Sequence, residues 1–259
     1  MDRSVDYDRI ATTYDRRYGD NEYPGVEQAL QQFVGEEPGV RVLEVGCGTG
    51  HWLALLSRRG ICVAGLDASA LMLAQAHAQL PQVALVQGRA EHLPWADAAF
   101  HRVVCINAFH HFTDKPGFLA EARRVLHPGG RVMIVGLDPH TGLDQWCIYE
   151  YFEGTLAIDQ RRYPAASQIR AWMSDAGFAD CTTVEVDRLP IRLDGRQALA
   201  QGRLDKAVTS QLSVLTDEEY QRGIDRIRKA IESAEARGES LSLTADLRLY
   251  ATCGTVSSR

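Results

Sequence analysis

The stretch Val42-Leu43-Glu44-Val45-Gly46-Cys47-Gly48-Thr49-Gly50 decides how the rest of the chain is interpreted. A short apolar run that contains an acid breaks into alternating glycines, and residues 52–59 behind it predict a helix that ends at Gly60. A strand, a glycine turn and a helix in this order open nucleotide-type sites in α/β proteins, where backbone N–H groups of the turn face a ligand. Glycine suits such a turn because it adopts positive φ and lets ligand atoms approach the main chain.

Asp67 ends a second predicted strand, residues 61–66, and lies about twenty residues beyond the glycines, the separation that a βαβ unit requires. A carboxylate there can accept hydrogen bonds from both ribose hydroxyls of an adenosine, since it has two oxygens for two neighbouring donors. An NAD site would use the same carboxylate, so Asp67 supports adenosine without choosing the cofactor. A plain N-cap role is the alternative for Asp67, although Ser69 can itself cap a helix over residues 70–79.

Three further buried strands are predicted over residues 83–86, 102–106 and 131–137. The middle one of the three ends at Asn107, and His110 and His111 follow closely. Imidazole titrates near neutral pH, so both histidines are candidates for a catalytic base. Ligands of open α/β sheets bind at the carboxyl ends of the strands, which is where these polar residues are expected to lie.

Three segments together resemble class I S-adenosylmethionine-dependent methyltransferases, in particular the small-molecule enzymes of the UbiE-like, Methyltransferase-11 type. They are the glycine loop with its acid Glu44, the run from Glu91 to His111, and a predicted helix followed by Pro128-Gly129-Gly130 and a strand. The spacing Gly46-x-Gly48-x-Gly50 also departs from the dinucleotide pattern G-x-G-x-x-G. The resemblance covers roughly residues 40–138, with its motifs in the expected order.

The resemblance implies S-adenosylmethionine as the cofactor and assigns its contacts to the glycine loop and to the ends of the second, third and fourth strands. The implied contact residues in these segments are Glu44, Gly46, Cys47, Gly48, Gly50, Asp67, Ala68, Met72, Arg89, Ala90, Glu91 and Asn107. Arg89 stands where the family typically has an aspartate that accepts from the adenine amino group. Because arginine only donates, it could stack on the adenine ring, or the main chain of Ala90 and Glu91 could contact the adenine edge.

In this family the fourth strand ends beside the methionine half of the cofactor, which places Asn107 at the expected crossing of cofactor and substrate. His110 and His111 are therefore candidates for a catalytic base or an orienting group. Paired histidines at this point occur in relatives with very different substrates, so a structural or cofactor-contact role is the alternative.

The region before the first strand, residues 1–34, places Tyr7, Tyr14 and Tyr18 on one helical face. One interpretation is a surface helix that buries aromatic rings against the core. The other comes from the resemblance, since small-molecule methyltransferases of this group often open with a tyrosine-rich helix that forms a lid over the cofactor. On that interpretation Tyr14 and Tyr18 contact the cofactor.

Residues 139–259 are expected to form the substrate-side half of the protein. Candidate substrate contacts follow the fifth strand, where the family's fold faces the methyl group: Trp146, Tyr149, Tyr151 and Arg161. A connecting helix that packs these aromatic rings is the alternative. A helical insertion is predicted over about 190–240, with a capping box at 216–219, before a last strand over 241–252.

Composition limits the remaining possibilities. The chain has 259 residues and a formal net charge of −6, with acids and bases interspersed, which argues against a nucleic-acid or anionic-membrane partner. No apolar run approaches the ~20 residues of a membrane span, and the start has no signal-peptide core. The six cysteines include no C-x-x-C pair, and no metal-ligand spacing is present. We expect a cytoplasmic monomer or homodimer without a metal.

The predicted fold is α/β, a doubly wound Rossmann-like sheet of about seven mostly parallel strands. Its parts are an N-terminal lid (residues 1–34), a cofactor-binding core (35–138) and the substrate-side half (139–259). The implied activity is in-line transfer of a methyl group to an oxygen, nitrogen or carbon atom of a small molecule. The alternatives are cyclisation or carboxymethyl transfer with the same cofactor, NAD-dependent oxidoreduction, and a non-enzymatic binding module.

Overall fold

The computed structural model describes residues 23–258, which divide into two units. The core unit comprises Tyr23–Asp138, Tyr163–Asp187 and the described residues from Leu249 onward. The helical unit comprises Pro139–Arg162 and Arg188–Arg248. The greater part of the predicted N-terminal lid, including Tyr14 and Tyr18, lies outside the described residues.

The strands are, in chain order, β1 (Arg41–Val45), β2 (Cys62–Asp67), β3 (Ala84–Gln87), β4 (Phe100–Ile106), β5 (Leu126–Leu137), β6 (Gln145–Trp146), β7 (Phe178–Asp194) and β8 (Ser242–Val256). The helices are α1 (Pro24–Val34), α2 (His51–Arg58), α3 (Ala70–Gln79), α4 (Lys115–Val125), α5 (Cys147–Tyr151), α6 (Thr155–Arg162), α7 (Ala166–Asp175), α8 (Gly195–Ala200), α9 (Ser210–Ser213) and α10 (Asp217–Glu235). Residues of β7 and β8 belong to both units.

The sheet of the core unit has the order β3-β2-β1-β4-β5-β8, and β7 also pairs with β8. Strands β1 to β5 pair in parallel, and β8 pairs with β5 in the antiparallel direction. The chain moves outward from β1 to β3 and then returns to the other side of β1 with β4, so the order reverses between β1 and β4. The predicted Rossmann-like, doubly wound sheet is confirmed, and β1–β4 is its switch point, where such folds bind ligands.

Strands β5 and β6 differ from the strands predicted from the sequence. Strand β5 begins earlier than expected because Leu126, directly after α4, already pairs with Phe100 of β4. The two-residue strand β6 is an addition that the sequence pattern does not indicate, and within the helical unit it pairs with Ala245 and Asp246 of β8.

Helix ends in the core unit follow their local sequence. Pro24 occupies the first turn of α1, where the missing N–H costs nothing. Ser69 caps α3 by accepting a hydrogen bond from the Met72 N–H at 3.1 Å. Asp114 caps α4 by accepting from the Gly117 N–H at 2.9 Å. The predicted cap at Ser69 is confirmed.

The helical unit has its own apolar cluster around α10. The capping box predicted at 216–219 is present, with Thr216 and Glu219 each accepting the other's backbone N–H. Ile224, Ile227 and Ile231 of α10 are buried within this unit. No helix among the residues described is long and apolar enough to cross a membrane.

Glu44 is a buried acid in the middle of the apolar strand β1, with a side chain that is only 1% exposed. Burial raises the pKa of its carboxyl well above the usual value, and the negative charge of Asp67 raises it further, while the Leu53 backbone N–H lowers it. Its Oε2 atom has no hydrogen-bond partner among residues 23–258. We infer that folding favours the protonated, uncharged form of Glu44.

Replacing Glu44 by glutamine is expected to flatten the pH dependence of stability. The folded-state pKa lies above the unfolded value, so the protonated acid stabilises the fold at low pH and this contribution is lost as the pH rises above about 4.3 toward the folded pKa. Urea unfolding between about pH 5 and 8 measures the free energy of unfolding as a function of pH. Glu36→Gln is the control, because Glu36 is an exposed glutamate. Parallel pH profiles for Glu44→Gln and the parent chain would contradict the inference.

Candidate active site

The glycine loop after β1 requires glycine for two reasons. Gly46, Gly48 and Gly50 have φ of +76°, +52° and +85°, in the left-handed region that other residues rarely adopt. At Gly46 an added Cβ would also lie 2.4 Å from the Cβ of Ala108, so the loop after β4 packs directly on it. The loop is joined to β2 because Leu66 accepts from the N–H groups of both Gly46 and Cys47, at 2.7 and 3.0 Å.

Asp67 at the end of β2 holds the glycine loop in place. Its Oδ2 accepts from the Gly48 N–H at 2.8 Å, and its Oδ1 accepts from the Ser69 N–H at 2.9 Å. A carboxylate oxygen can accept more than one hydrogen bond, so these contacts are compatible with a ribose as a further donor. Ser69, not Asp67, caps α3, so the plain N-cap alternative for Asp67 is wrong.

The side chains of Glu44 and Cys47 lie below the loop surface. Cys47 is 6% exposed, and burial, Glu44 and Asp67 together raise the pKa of its thiol well above the usual value. The thiol is therefore neutral and unreactive, since the thiolate is the nucleophilic form. Gly46, Gly48 and Gly50 carry no side chains that would keep a ligand away from the main chain, and the buried Oε2 of Glu44 has no hydrogen-bond partner among residues 23–258. Both features fit a loop that serves as a cradle for a polar ligand.

Arg89 and Glu91 after β3 connect to the loop before α4. Arg89 Nη2 donates to Thr113 Oγ1 at 3.1 Å, and Arg89 Nε lies 3.3 Å from Glu91 Oε2. Glu91 Oε1 accepts from the N–H groups of Thr113 and Asp114, at 2.9 and 3.0 Å. Burial would raise the pKa of Glu91, but these N–H donors and Arg89 together lower it. Two donors of Arg89 are thus engaged inside the protein, while its side chain remains 63% exposed.

The other predicted cofactor residues differ in exposure. Ala90 and Met72 are buried, whereas Ala68 is exposed and its carbonyl accepts from Gln87 Nε2 at 3.1 Å. Asn107, at the end of β4, has φ of +54°, and its N–H donates to the Val135 carbonyl at 2.8 Å. Asparagine tolerates this left-handed conformation better than most residues, and such backbone outliers concentrate at functional sites.

His110 and His111 follow in a short 3₁₀ turn, Phe109–His111. The His110 ring stacks on Tyr163, with centroids 3.8 Å apart and planes at 15°, and its centroid lies 3.7 Å from that of His111. Both His110 and Tyr163 are less than 10% exposed. The stacking restricts the orientation of the His110 ring.

A recess opens within the core unit beside His110, at the carboxyl ends of β4 and β5. His110 lines it and His111 does not. Asp138, directly after β5, contributes a buried carboxylate whose Oδ2 accepts from the Ala166 N–H at 2.8 Å. The full lining is Phe109, His110, Ile134, Val135, Gly136, Leu137, Asp138, Tyr163, Pro164, Ala166, Ile169, Tyr250 and Thr252.

Sequence reasoning missed Asp138, Tyr163 and Tyr250 as residues of this recess. Asp138 could have been found, because it directly follows the predicted fifth strand and polar residues at strand ends collect at the ligand edge. Tyr163 and Tyr250 come from distant segments, and no local pattern connects them to β5.

The four predicted substrate residues lie in the helical unit. Trp146 contacts Tyr149 edge to face at 5.3 Å, and the Tyr149 hydroxyl donates to Asp159 Oδ2 at 2.9 Å. Tyr151 packs against the apolar cluster of that unit, and Arg161 is exposed on α6. Within the described part of the chain, no group of three or more His, Cys, Asp or Glu side chains could hold a metal ion.

Comparison with known proteins provides evidence that is independent of the geometry of the site. A family model described as a methyltransferase domain matches residues 43–134. The phthiotriol/phenolphthiotriol dimycocerosates methyltransferase of Mycobacterium leprae is 38% identical over 112 residues, which cover 42% of this chain and 42% of that protein. An uncharacterized methyltransferase of Synechocystis is 30% identical over 173 residues, covering 66% of this chain and 79% of that protein. The match thus spans less than half of the mycobacterial relative.

Solved structures share the fold. Phosphoethanolamine N-methyltransferase 2 of Haemonchus contortus, in complex with S-adenosyl-L-methionine, aligns with a TM-score of 0.62 at 17% identity, covering 96% of this chain and 57% of that chain. The glycine loop, Asp67 and the strand order of the core unit fit the same cofactor. The chain belongs to the class I family of S-adenosylmethionine-dependent methyltransferases.

Proposed function

We propose that this protein transfers a methyl group from S-adenosylmethionine to an oxygen, nitrogen or carbon atom of a small-molecule acceptor by in-line displacement. One observation carries the proposal: the core unit has, at the same carboxyl edge of its sheet, a glycine loop held by Asp67 and a recess beside His110. The alternatives of cyclisation, carboxymethyl transfer and NAD-dependent oxidation have no support among the relatives described above, which are methyltransferases.

The residues that would hold the cofactor are grouped around the switch point of the sheet. The main chain of the glycine loop would lie directly against the cofactor, and Asp67 would accept from the ribose hydroxyls. Met72, Ala90 and the Arg89–Glu91 pair follow the ends of β2 and β3 and would contact the base. When bound, S-adenosylmethionine supplies a methyl group that its positively charged sulfur already activates. The protein has mainly to hold the acceptor in line, and positioning of this kind supplies ~7–11 kcal/mol.

The recess is the proposed acceptor site. Its walls are mostly aliphatic, from Ile134, Leu137 and Ile169, with polar groups from His110 and Asp138. Such a lining favours a largely apolar acceptor with a hydroxyl or amine as the reacting group. His110 would orient that group and accept its proton where the acceptor must lose one. We retain Trp146, Tyr149, Tyr151 and Arg161 of the helical unit as candidate substrate contacts.

The proposal also covers partners and location. We propose a cytoplasmic monomer or homodimer that acts on a small molecule and has no nucleic-acid or membrane partner. The formal net charge of −6 and the absence of a membrane-spanning helix within residues 23–258 support these points.

Calorimetric titration with S-adenosylmethionine tests the cofactor site. Asp67→Asn is expected to weaken binding by about 10- to 100-fold, since it removes the charge from hydrogen bonds that contribute ~1.5–3 kcal/mol. Asp180→Asn is the matched control, because Asp180 is an exposed carboxylate in a left-handed conformation that asparagine tolerates. Binding of NAD in place of S-adenosylmethionine, or equal affinity for the Asp67→Asn variant, would refute the cofactor assignment.

Gly136→Val tests the acceptor site. Gly136 lines the recess, has ordinary φ, and its added Cβ would meet no atom within 4 Å, so the larger side chain fills the recess without disturbing the strand. We expect unchanged S-adenosylmethionine affinity and a loss of kcat/KM of about 10-fold or more for the first acceptor found to give S-adenosylhomocysteine. Gly136→Ala should give a smaller loss. Full activity of the valine variant would place the acceptor elsewhere.

His110→Gln and His111→Gln separate the two histidines. If His110 acts as base or orienting group, its replacement lowers kcat by about 10²- to 10⁴-fold at unchanged cofactor affinity. His111 does not line the recess, so its replacement should have a small effect. Single-turnover formation of S-adenosylhomocysteine measures both variants. Equal losses for the two would indicate a shared structural role instead.

A further inference from the structure

A cluster of three basic residues lies at the amino edge of the core sheet, where β1 and β4 begin. Arg41 opens β1, His101 is the second residue of β4, and His127 lies in the turn at the start of β5. The two imidazole rings stack, with centroids 4.7 Å apart and planes at 28°. Parallel strands have their ligand edge at the carboxyl ends, so this cluster is separated from the proposed methyl-transfer site by the length of β1, about 15 Å.

The hydrogen bonds within the cluster determine where each imidazole carries its proton. The Arg41 backbone N–H donates to His101 Nδ1 at 3.1 Å. The Arg41 guanidinium Nη2 lies 2.7 Å from His127 Nε2, and since a guanidinium only donates, His127 Nε2 accepts. Each neutral ring therefore has its proton on the other nitrogen, which is Nε2 in His101 and Nδ1 in His127.

The cluster consequently offers donors and no remaining ring acceptor. The donors are His101 Nε2–H, His127 Nδ1–H and the N–H groups of Arg41 that His127 does not use. Arg41 is exposed, and within residues 23–258 no carboxylate forms a salt bridge with it. A positive charge surrounded by donors, in a chain of net charge −6, matches an oxyanion with several acceptor oxygens.

The charged groups that face His101 are mostly positive, which favours a negatively charged ligand beside it. Burial lowers the pKa of His101, and His127, Arg41 and Arg102 lower it further, while Glu37 alone among the named neighbours raises it. Arg102 is directed elsewhere, since its Nε donates to the Phe33 carbonyl at 3.0 Å and its Nη1 to the His101 carbonyl at 3.0 Å. A bound anion would offset the positive charge of Arg41 and Arg102 beside His101.

We propose that Arg41, His101 and His127 form a binding site for a phosphate-class oxyanion, distinct from the cofactor and acceptor sites. Arg41 supplies the fixed charge, and the two imidazoles supply further donors. Each imidazole donates to the anion through the ring nitrogen that Arg41 does not contact. The ligand is inorganic phosphate or a soluble phosphomonoester, which share this chemistry.

Titration of the full chain with inorganic phosphate tests the site. In ¹H–¹³C spectra of the histidine rings, the His101 and His127 signals should shift together and saturate as phosphate is added, whereas chloride of equal ionic strength should leave them unchanged. Arg41→Gln should weaken the response about 10-fold or more. Arg59→Gln, an exposed arginine that ends α2, should leave it unchanged. The variants His101→Gln and His127→Gln assign the two signals.

Three results would overturn the proposal: shifts that grow linearly without saturation, the same response to chloride, or an equal response in Arg41→Gln and the parent chain. If Arg41→Gln unfolds, His127→Gln with the His101 signal as reporter answers the same question. Parallel titrations with inorganic phosphate and with glycerol 3-phosphate distinguish the two sources. Saturation at lower concentration by one of them identifies the class of ligand, and saturation by neither overturns the proposal.

Discussion

The hydrogen bond from the Gly48 N–H to Asp67, 2.8 Å long, connects the two parts of the molecule that form the proposed cofactor site. Gly48 belongs to the loop after β1, and Asp67 ends the neighbouring strand β2. The same carboxylate also accepts from the Ser69 N–H, so it organises the glycine loop and the start of α3 together. A ribose bound at Asp67 would therefore meet a carboxylate already oriented by the backbone, which reduces the ordering cost of binding.

A second constraint joins the loop after β1 to the loop after β4. Ala108 occupies the space that a side chain at Gly46 would need, and it lies between Asn107, in its left-handed conformation, and the histidine turn. The stacking of His110 on Tyr163 then extends this rigid contact toward the recess. The proposed cofactor and acceptor sites are thus held by one continuous series of short contacts at the carboxyl edge of the sheet, which is what in-line transfer demands of a protein.

Strands β1 to β5 could be predicted from sequence because each is an apolar run that leads into an acid, asparagine or glycine, and β8 because its apolar and polar residues alternate. The glycine loop and Asp67 follow the same rule. The recess could not be predicted as a whole, since Tyr163 and Tyr250 reach it from segments far from β5 in the chain. The hydrogen bonds that join Arg89 and Glu91 to Thr113 could not be predicted either, because they depend on the approach of two loops that are distant in sequence. Local patterns determine strands and caps, whereas long-range packing determines which side chains meet.

The contact between Gly46 and Ala108 has a consequence for how such a protein can diversify. Positions 46 and 108 are sterically coupled, so a larger residue at either one would push the two loops apart, and neither can change alone. Leu137 and Ile169, in contrast, line the recess without belonging to that contact. Variation confined to such wall positions would change the proposed acceptor site while the proposed cofactor cradle stays intact. An engineer building a library for new acceptors would accordingly randomise the walls and keep the two coupled positions constant.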